Sequence, residues 1–308
     1  MKELTKISIV VPVYNSSEVL YELKKQVDNT FTDLKLAYQL ILVDDCSHDN
    51  SWQIKKAIKQ ADPANIVAVR LAKNFGQHNA IFCGLQYCTG EVTITMDDDL
   101  QSPPSEIKHL VSHWQKTGAD VVYGISDDYK KSTFRKLASR SAKTATKLTS
   151  SAIGEGSSFR ILSSEIVKKF VTHKQYFIFL DELISWYSSN VEFVLVKHEH
   201  SKVKKSRYTV SKLFKLYFEL IIGYNAAPLK FITFLGLSSS FISFLVGTLF
   251  IIKKLFWHVR IGFTGIIVSI AFSAGVILLS IGIIGEHLRR MYNILNAQPQ
   301  YFVSEVLD

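Results

Sequence analysis

Three consecutive aspartates stand directly after a β-branched run in the segment TITMDDDLQSPP. Side chains two residues apart in an extended chain point to the same side, so Asp97 and Asp99 can offer their carboxylates to one cation. Ligation by oxygen alone suits Mg²⁺ or Mn²⁺, which commonly bridge to substrate phosphates. The alternative is a solvated acidic turn that caps the next helix, and a motif this short would by itself favour that turn. Its position at a strand's end, among other polar turns, favours the metal.

Other polar turns follow apolar runs in the same way. Asp44 and Asp45 end the run ILVDD, where their carboxylates can accept hydrogen bonds from a nucleobase or a ribose. The residues just after them can cap the following helix, and the two roles are compatible. In LAKNFGQHNA, Gly76 occupies a place where the chain needs a positive φ. His78 can be a cap residue as easily as a ligand contact, and we favour the cap because no metal partner for it is evident in the sequence.

Short strand patterns alternate with helical patterns in the first part of the chain. The predicted strands are Ile7–Val13, Gln39–Val43, Ile66–Leu71, Val92–Met96 and Val121–Tyr123, with helices near Glu18–Asn29, Trp52–Gln60, His78–Cys88 and Pro104–Lys116. Repeated strand–helix units predict an α/β fold with a mostly parallel sheet covered by helices. Ligands of such sheets bind at the carboxyl ends of the strands, where all of the polar turns fall. No Gly-rich dinucleotide motif or P-loop is present, which disfavours dehydrogenases and P-loop enzymes.

Composition narrows the class of protein further. The chain has 308 residues, of which 47% are hydrophobic and 20% charged, so it has ample apolar surface to fold and intrinsic disorder is excluded. The net charge of +9 suits an anionic partner such as nucleic acid, a phosphorylated ligand or lipid head groups. The three cysteines lack a zinc-binding spacing and suggest a reducing compartment.

Two long segments without a charged residue, 231–252 and 261–285, predict a pair of membrane-spanning helices. The alternative is a pair of buried helices in a large globular core. The link at 253–260 is short, so the two spans form a hairpin with both flanks on one side. Lysines and arginines are more numerous in the flanks than in the link, which places the large domain in the cytosol, although the link's own three cations weaken this assignment.

The chain is expected to divide into four parts. A catalytic domain spans 1–208, an amphipathic interfacial helix 209–228, the transmembrane hairpin 229–285 and a cytosolic C-terminal tail 286–308. The interfacial helix would lie at the lipid head groups with its lysines near anionic lipid. Its alternative is a linker helix packed on the catalytic domain.

Several motifs occur in one order along nearly the whole chain: SIVVPVYN, VDDCSHDNS, NFGQHNA, MDDDLQSPP, FRKLASR, SSFRI and the terminal IGIIGEHLRRMYNILNAQPQYFV. In this order the sequence resembles the family 2 glycosyltransferases of GT-A (Rossmann-like) fold and, more narrowly, the polyprenyl-phosphate glycosyltransferases. The resemblance implies inverting, metal-dependent transfer of a sugar from a nucleotide sugar to a polyprenyl phosphate such as undecaprenyl phosphate. A UDP-sugar is favoured as donor, with GDP-mannose as the alternative, in cell-envelope glycan or lipopolysaccharide modification. The implied location is the bacterial inner membrane, with the catalytic domain on the cytosolic face, without a nucleic-acid partner and with a homo-oligomer left open.

The resemblance also implies roles for individual residues. The donor would contact Pro12, Tyr14, Asn15, Asp44, Asp45, Asn74, Asp98 and Gln101. Asp97 and Asp99 would hold Mg²⁺ or Mn²⁺ on the donor diphosphate. The acceptor phosphate would meet Arg135, Ser139, Arg160, Lys205 and Arg207. Asp181 joins Asp97, Asp99 and Arg135 in the implied catalytic set, with a solvated helix start as its alternative.

Departures from the family pattern leave other functions open. The usual glycine of the loop before the interfacial helix is Lys204 here, and an expected arginine is Ser201, so phosphate contacts are expected to shift to neighbouring cations. The alternatives are a family 2 glycosyltransferase with another membrane-bound acceptor, or a non-catalytic nucleotide-binding membrane scaffold. The Q-x-x-R-W motif of processive polysaccharide synthases is absent.

Overall fold

The computed structural model describes residues 4–126, 157–172, 179–198, 263–295 and 299–308, together with scattered positions between 232 and 256. The chain forms two compact units, Met1–Lys205 with Pro299–Asp308, and Ser206–Gln298. The second unit is therefore an insertion, because the chain leaves the first unit after Lys205 and returns to it at Pro299.

The first unit is built on one mixed sheet. Its described strands are β1 (Lys6–Val13), β2 (Ala37–Asp44), β3 (Ile66–Leu71), β4 (Val92–Thr95), β5 (Val121–Ser126), β6 (Arg160–Ser163), β7 (Val191–Val196) and β8 (Val303–Leu307). They lie in the order β7-β5-β6-β4-β1-β2-β3-β8. β6 and β8 run antiparallel to their neighbours, and the other described pairings are parallel. This arrangement confirms the predicted α/β fold with a mostly parallel sheet.

Helices cover both faces of this sheet. They are α1 (Leu20–Leu34), α2 (Ser51–Ala61), α3 (Gln77–Leu85), α4 (Ile107–Thr117), α5 (Ser164–Val171) and α6 (Leu180–Tyr187), with a 3₁₀ turn at Pro104–Glu106 before α4. Strand β1 shows why both faces need cover, because Ile9 and Val11 pack into one hydrophobic cluster and Val10 into the other. Alternate side chains of a strand point to opposite faces, so a strand that is apolar at successive positions must be buried on both.

The structure adds three strands, β6, β7 and β8, to the five predicted ones, and β8 corrects the predicted C-terminal tail. β6 inserts between β4 and β5, so these two strands are not neighbours. The segment 286–308 was expected to be a tail, but residues 303–307 form β8 on the edge of the sheet. The alternation in VSEVL, which leaves every second side chain more exposed, suits an edge strand.

The second unit contains α7 (Phe263–Leu295), which covers most of the second predicted span and continues ten residues beyond it. Several of its apolar side chains are exposed, including Ile277, Leu278 and Leu279 at 57%, 69% and 52%. Each described position between 232 and 256 is helical. Among the residues that the structure describes, no helix has both the length and the apolar character that crossing a membrane requires, so the predicted hairpin is not confirmed. The predicted interfacial helix lies outside the described residues.

A glycine at the amino edge of the sheet tests this packing. A Cβ at Gly90 would lie 2.5 Å from the backbone nitrogen of Ser8 and 2.9 Å from the carbonyl carbon of Ile7. Backbone cannot move aside as a flexible side chain can, so we expect Gly90→Ala to lower the free energy of unfolding by about 1–3 kcal/mol. Thermal unfolding in detergent measures the effect. Gly275→Ala is the matched control, because nothing lies within 4 Å of a Cβ there. Equal stability of the two variants would contradict the close approach.

Candidate active site

The loops that follow β1, β2, β3 and β4 lie side by side at the carboxyl edge of the sheet. Each contains one residue in the left-handed region, with φ of 52° at Asn15, 58° at Cys46, 89° at Gly76 and 59° at Leu100. Such conformations are uncommon for residues other than glycine, and they concentrate at functional sites. The sequence predicted only the glycine. The clustering of all four at one edge marks that edge as the candidate site.

The acidic turn after β4 is held by specific partners at its first residue. The Asp97 carboxylate accepts hydrogen bonds from Ser158 Oγ at 2.5 Å and from Gln77 Nε2 at 2.6 Å. Ser158 precedes β6 and Gln77 begins α3, so two elements distant in sequence orient this carboxylate. Sequence analysis assigned no role to either residue, although Ser158 lies within the quoted motif SSFRI.

The second and third aspartates of the turn point to different partners. Asp98 accepts hydrogen bonds from Ser16 Oγ at 2.5 Å and the backbone N–H of Tyr14 at 3.3 Å, which ties the acidic turn to the loop after β1. Asp99 Oδ1 accepts the backbone N–H of Gln101 at 3.0 Å. The Asp98 side chain therefore holds the loop after β1 in place.

The electrostatics of the turn fit a divalent cation. Burial raises the pKa of the Asp97 carboxyl to about 6, the hydrogen bond from Ser158 opposes this, and the neighbouring carboxylates of Asp98 and Asp99 raise the pKa further. A cation beside the first and third carboxylates would relieve this repulsion. Two carboxylates suffice for Mg²⁺, which completes its shell with water and substrate oxygen. In the described parts of the chain, no group of three or more His, Cys, Asp or Glu side chains could hold a metal.

The acidic pair after β2 is buried and already engaged. Asp44 is fully buried, and its Oδ1 lies 2.5 Å from Nζ of the equally buried Lys55. Asp45 accepts the backbone N–H groups of Phe75 and Gly76 at 2.7 and 2.9 Å, which fixes the loop after β3. Burial nevertheless raises the pKa of Asp45. Both side chains support the loops from inside, and the hydrogen bonds that they would accept from a nucleobase or a ribose stay a prediction.

Two predicted site residues, Arg160 and Asp181, form a buried ion pair. The Arg160 guanidinium is 1% exposed and donates to the Asp181 carboxylate, which also accepts the Tyr123 hydroxyl at 2.7 Å. The guanidinium carbon lies 5.3 Å from the centre of the Tyr123 ring. This pairing excludes the alternative of a solvated helix start at Asp181, because neither group faces solvent. The catalytic role of Asp181 and the contact of Arg160 with an acceptor phosphate stay predictions.

His78 lies beside the same cluster. Its ring centre is 4.6 Å from that of Phe179, and burial lowers the pKa of His78 to about 4, an effect that the charge of Arg160 reinforces. The imidazole is therefore neutral near pH 7. It lies in the first turn of α3, whose N-cap is Gly76, so the prediction that His78 caps the helix was wrong.

The other residues predicted to contact the donor differ in how much of their side chain is exposed to solvent. Asn15 and Asn74 are exposed at the edge, Tyr14 and Gln101 are half-buried there, and Pro12 is buried inside β1. The predicted acceptor residues Arg135, Ser139, Lys205 and Arg207 lie outside the described residues.

The comparison with known families agrees with this architecture. Residues 8–182, more than half of the chain, match the glycosyl transferase family 2. The chain belongs to glycosyltransferase family 2. The resemblance noted from the motifs, and the prediction of a glycosyltransferase, are thereby confirmed.

Relatives that align with nearly the whole chain carry a more specific name. The undecaprenyl-phosphate 4-deoxy-4-formamido-L-arabinose transferase of Pseudomonas fluorescens SBW25 is 33% identical over 98% of this chain and 89% of its own. The protein of the same name from Klebsiella pneumoniae strain 342 is 30% identical over 98% of this chain and 94% of its own. Among solved structures, a mannosyltransferase from Pyrobaculum calidifontis in complex with GDP-Man and Mn²⁺ is 14% identical, with a TM-score of 0.48, covering 67% of this chain and 59% of that one.

Removing the buried counter-charge of Arg160 should be costly. Asp181→Asn leaves the guanidinium buried without a partner charge, so we expect the free energy of unfolding to fall by about 3–5 kcal/mol. Tyr123→Phe removes only one hydrogen bond from the same carboxylate and should cost about 0.5–1.5 kcal/mol. Denaturant unfolding measures both variants. If Asp181→Asn proved no more destabilising than Tyr123→Phe, the ion pair would not hold the cluster together.

Proposed function

We propose that this family 2 enzyme transfers a glycosyl group from a nucleotide sugar to a polyprenyl phosphate, with inversion at the anomeric carbon. A single structural observation carries the chemistry: the Asp97–Asp99 turn lies at the sheet edge where four loops with left-handed residues meet. The alignment of relatives named undecaprenyl-phosphate 4-deoxy-4-formamido-L-arabinose transferase along 98% of the chain supports the acceptor class. We favour a UDP-sugar as donor, with GDP-mannose as the alternative.

We propose that the donor contacts the exposed and half-buried residues of the edge rather than its buried carboxylates. Tyr14, Asn15, Asn74 and Gln101 present surface there. Asp44 and Asp45 act indirectly on donor binding, because they hold the loops that carry these contacts. Base and ribose recognition would then rest on loop shape and neutral polar groups.

Asp97 and Asp99 would hold a Mg²⁺ or Mn²⁺ ion at this edge. When bound, such a cation neutralises charge that develops on the departing diphosphate. The hydrogen bonds from Ser158 and Gln77 fix the orientation of the Asp97 carboxylate, so little reorganisation is needed.

The acceptor supplies its own nucleophile. A phosphate monoester is anionic near neutral pH, with a second pKa of about 6, so it needs no strong general base. One of its oxygens forms a bond to the anomeric carbon as the bond from that carbon to the diphosphate oxygen breaks, and the nucleoside diphosphate leaves with the electron pair. The chain's main tasks are alignment and charge stabilisation. Asp181 is paired with Arg160 and buried, so we assign it a positioning role rather than that of a general base.

The acceptor phosphate is assigned, as a proposal, to Arg135, Ser139, Lys205 and Arg207. A guanidinium can hold two phosphate oxygens at once, which favours the arginines as the main contacts. Arg160 is left out of this set, because its guanidinium is buried and paired.

We further propose that residues 206–298 anchor the enzyme in the bacterial inner membrane as a helical hairpin, with the catalytic unit in the cytosol. Both ends of this insertion join the same compact unit, so any crossings must be even in number. The exposed apolar side chains of α7 and the charge-free segments 231–252 and 261–285 support lipid contact. Such an anchor would keep a water-facing site near a polyprenyl substrate.

Substitutions in the acidic turn test the catalytic proposal. Asp97→Asn and Asp99→Asn should each lower the transfer rate about a hundredfold or more, because stabilisation of the leaving diphosphate is lost. Transfer from UDP-sugar to undecaprenyl phosphate is measured at several Mn²⁺ concentrations. Glu91→Gln is the matched control, since this exposed carboxylate bonds Thr5 at the opposite edge of the sheet. Wild-type rates with unchanged Mn²⁺ dependence in both aspartate variants would refute the metal assignment, whereas the absence of transfer by the wild-type protein would favour a non-catalytic scaffold.

Topology is tested separately by cysteine labelling in intact cells. A cysteine introduced at Trp257 should react with an impermeant maleimide from outside, whereas one at Asn296 should react only after the membrane is permeabilised. The three native cysteines, which lie in the catalytic unit, should also stay unlabelled until then. The reverse pattern would reject the hairpin orientation.

A further inference from the structure

The end of the chain is built into the sheet. β8 pairs antiparallel with β3, so that Glu305 stands directly opposite Arg70. The backbone N–H of Ala72 donates to the carbonyl of Phe302 at 2.8 Å, and Ser304 Oγ donates to the carbonyl of Arg70 at 3.0 Å. These contacts hold the end of β3 and the first residue of the loop that follows it.

Glu305 also joins β8 to helix α2. Its Oε2 accepts the indole N–H of Trp52 at 3.1 Å, and its Oε1 lies 2.7 Å from Nζ of Lys56. The hydrogen bond from Lys56 is the main reason that the pKa of Glu305 lies below its usual value. One carboxylate on the last strand thus holds the first turns of α2.

Trp52 lies at the centre of a cluster of three cations, and Glu305 accepts a hydrogen bond from its indole. The indole is 3% exposed, and three cations surround its ring: Lys56 Nζ at 5.4 Å, Arg70 Cζ at 5.7 Å and Lys55 Nζ at 5.9 Å from the ring centre. Cations attract an aromatic face but repel one another. Glu305 supplies negative charge on the outer side of this cluster.

The inner side of the cluster reaches the candidate active site. Asp44 lies 2.5 Å from Lys55 Nζ and 3.5 Å from Arg70 Nε, and it accepts the backbone N–H of Ser47 at 3.2 Å. Ser47 belongs to the loop after β2, and its Oγ accepts the backbone N–H of Asn15 in the loop after β1. A continuous set of contacts therefore runs from the C-terminal strand to two loops of the site.

We propose that the C-terminal strand is a positioning element for nucleotide binding, and that Glu305 sets the loops after β1 and β2 through Trp52, Arg70 and Asp44. This inference rests on the proposed nucleotide-sugar function. It assigns to the last residues of the chain a role in donor affinity, although they lie far in sequence from the donor motifs.

The test measures UDP binding to the purified full-length protein by calorimetry with Mn²⁺ present. Glu305→Gln should raise the Kd for UDP about threefold, and Glu305→Lys about tenfold, since the reversal adds a fourth cation to the cluster. Lys56→Gln removes one cation of the cluster together with the ion pair, so it should raise the Kd for UDP less than Glu305→Gln does. Steady-state kinetics should show a raised donor KM with kcat and acceptor KM unchanged.

Matched controls separate positioning from simple stability. Glu91→Gln and Glu91→Lys change an exposed carboxylate at the opposite edge and should leave the Kd for UDP unchanged. A lower Tm for the Glu305 variants with an unaltered Kd would overturn the inference, because the strand would then be structural only. Failure of the wild-type protein to bind UDP or GDP would instead overturn the proposed function, and this inference with it.

Discussion

A buried carboxylate must be given a counter-charge or hydrogen-bond donors, and the carboxyl edge of this sheet is organised around that requirement. Asp44 receives the ammonium of Lys55, and Asp181 receives the guanidinium of Arg160. Asp45 takes two backbone N–H groups from the loop after β3 and thereby shapes that loop. Asp97 differs, because the described hydrogen bonds to it come from a neutral hydroxyl and a neutral amide. Asp97 is one of the two carboxylates that we propose to hold the divalent ion, whose charge would balance theirs.

The same requirement accounts for the place of β8 beside β3. The cations that balance Asp44 lie on α2 and β3, and they collect around the Trp52 indole. β8 covers the edge of β3 and brings Glu305 to the outer side of that cluster. Covering an edge strand also removes a row of unpaired backbone groups that would otherwise invite aggregation. Residues 206–298 are inserted between β7 and β8, and the chain on either side of this insertion belongs to the same compact unit.

Sequence reasoning succeeded where the signal is local. The parallel core strands were predictable because runs of β-branched residues buried on both faces look alike in every such sheet. Asp97 and Asp99 were predictable as a pair from their spacing alone. The roles of Asp44 and Arg160 were not, because each depends on a partner 11 or 21 residues away that only the fold brings near. β8 was missed because a half-exposed edge strand after a long helix carries little hydrophobic pattern.

One measurement tests the central claim most directly. Purified full-length protein is incubated with Mn²⁺ or Mg²⁺, undecaprenyl phosphate and, in turn, UDP-4-deoxy-4-formamido-L-arabinose, UDP-glucose and GDP-mannose, and glycosylated lipid is quantified against released nucleoside diphosphate. The account predicts that one of the donors, and we favour a UDP-sugar, yields lipid product and nucleoside diphosphate in equal amounts, and only when both the divalent ion and the lipid phosphate are present. Absence of lipid product with every donor, or product formation that persists when the divalent ion is chelated, would contradict it.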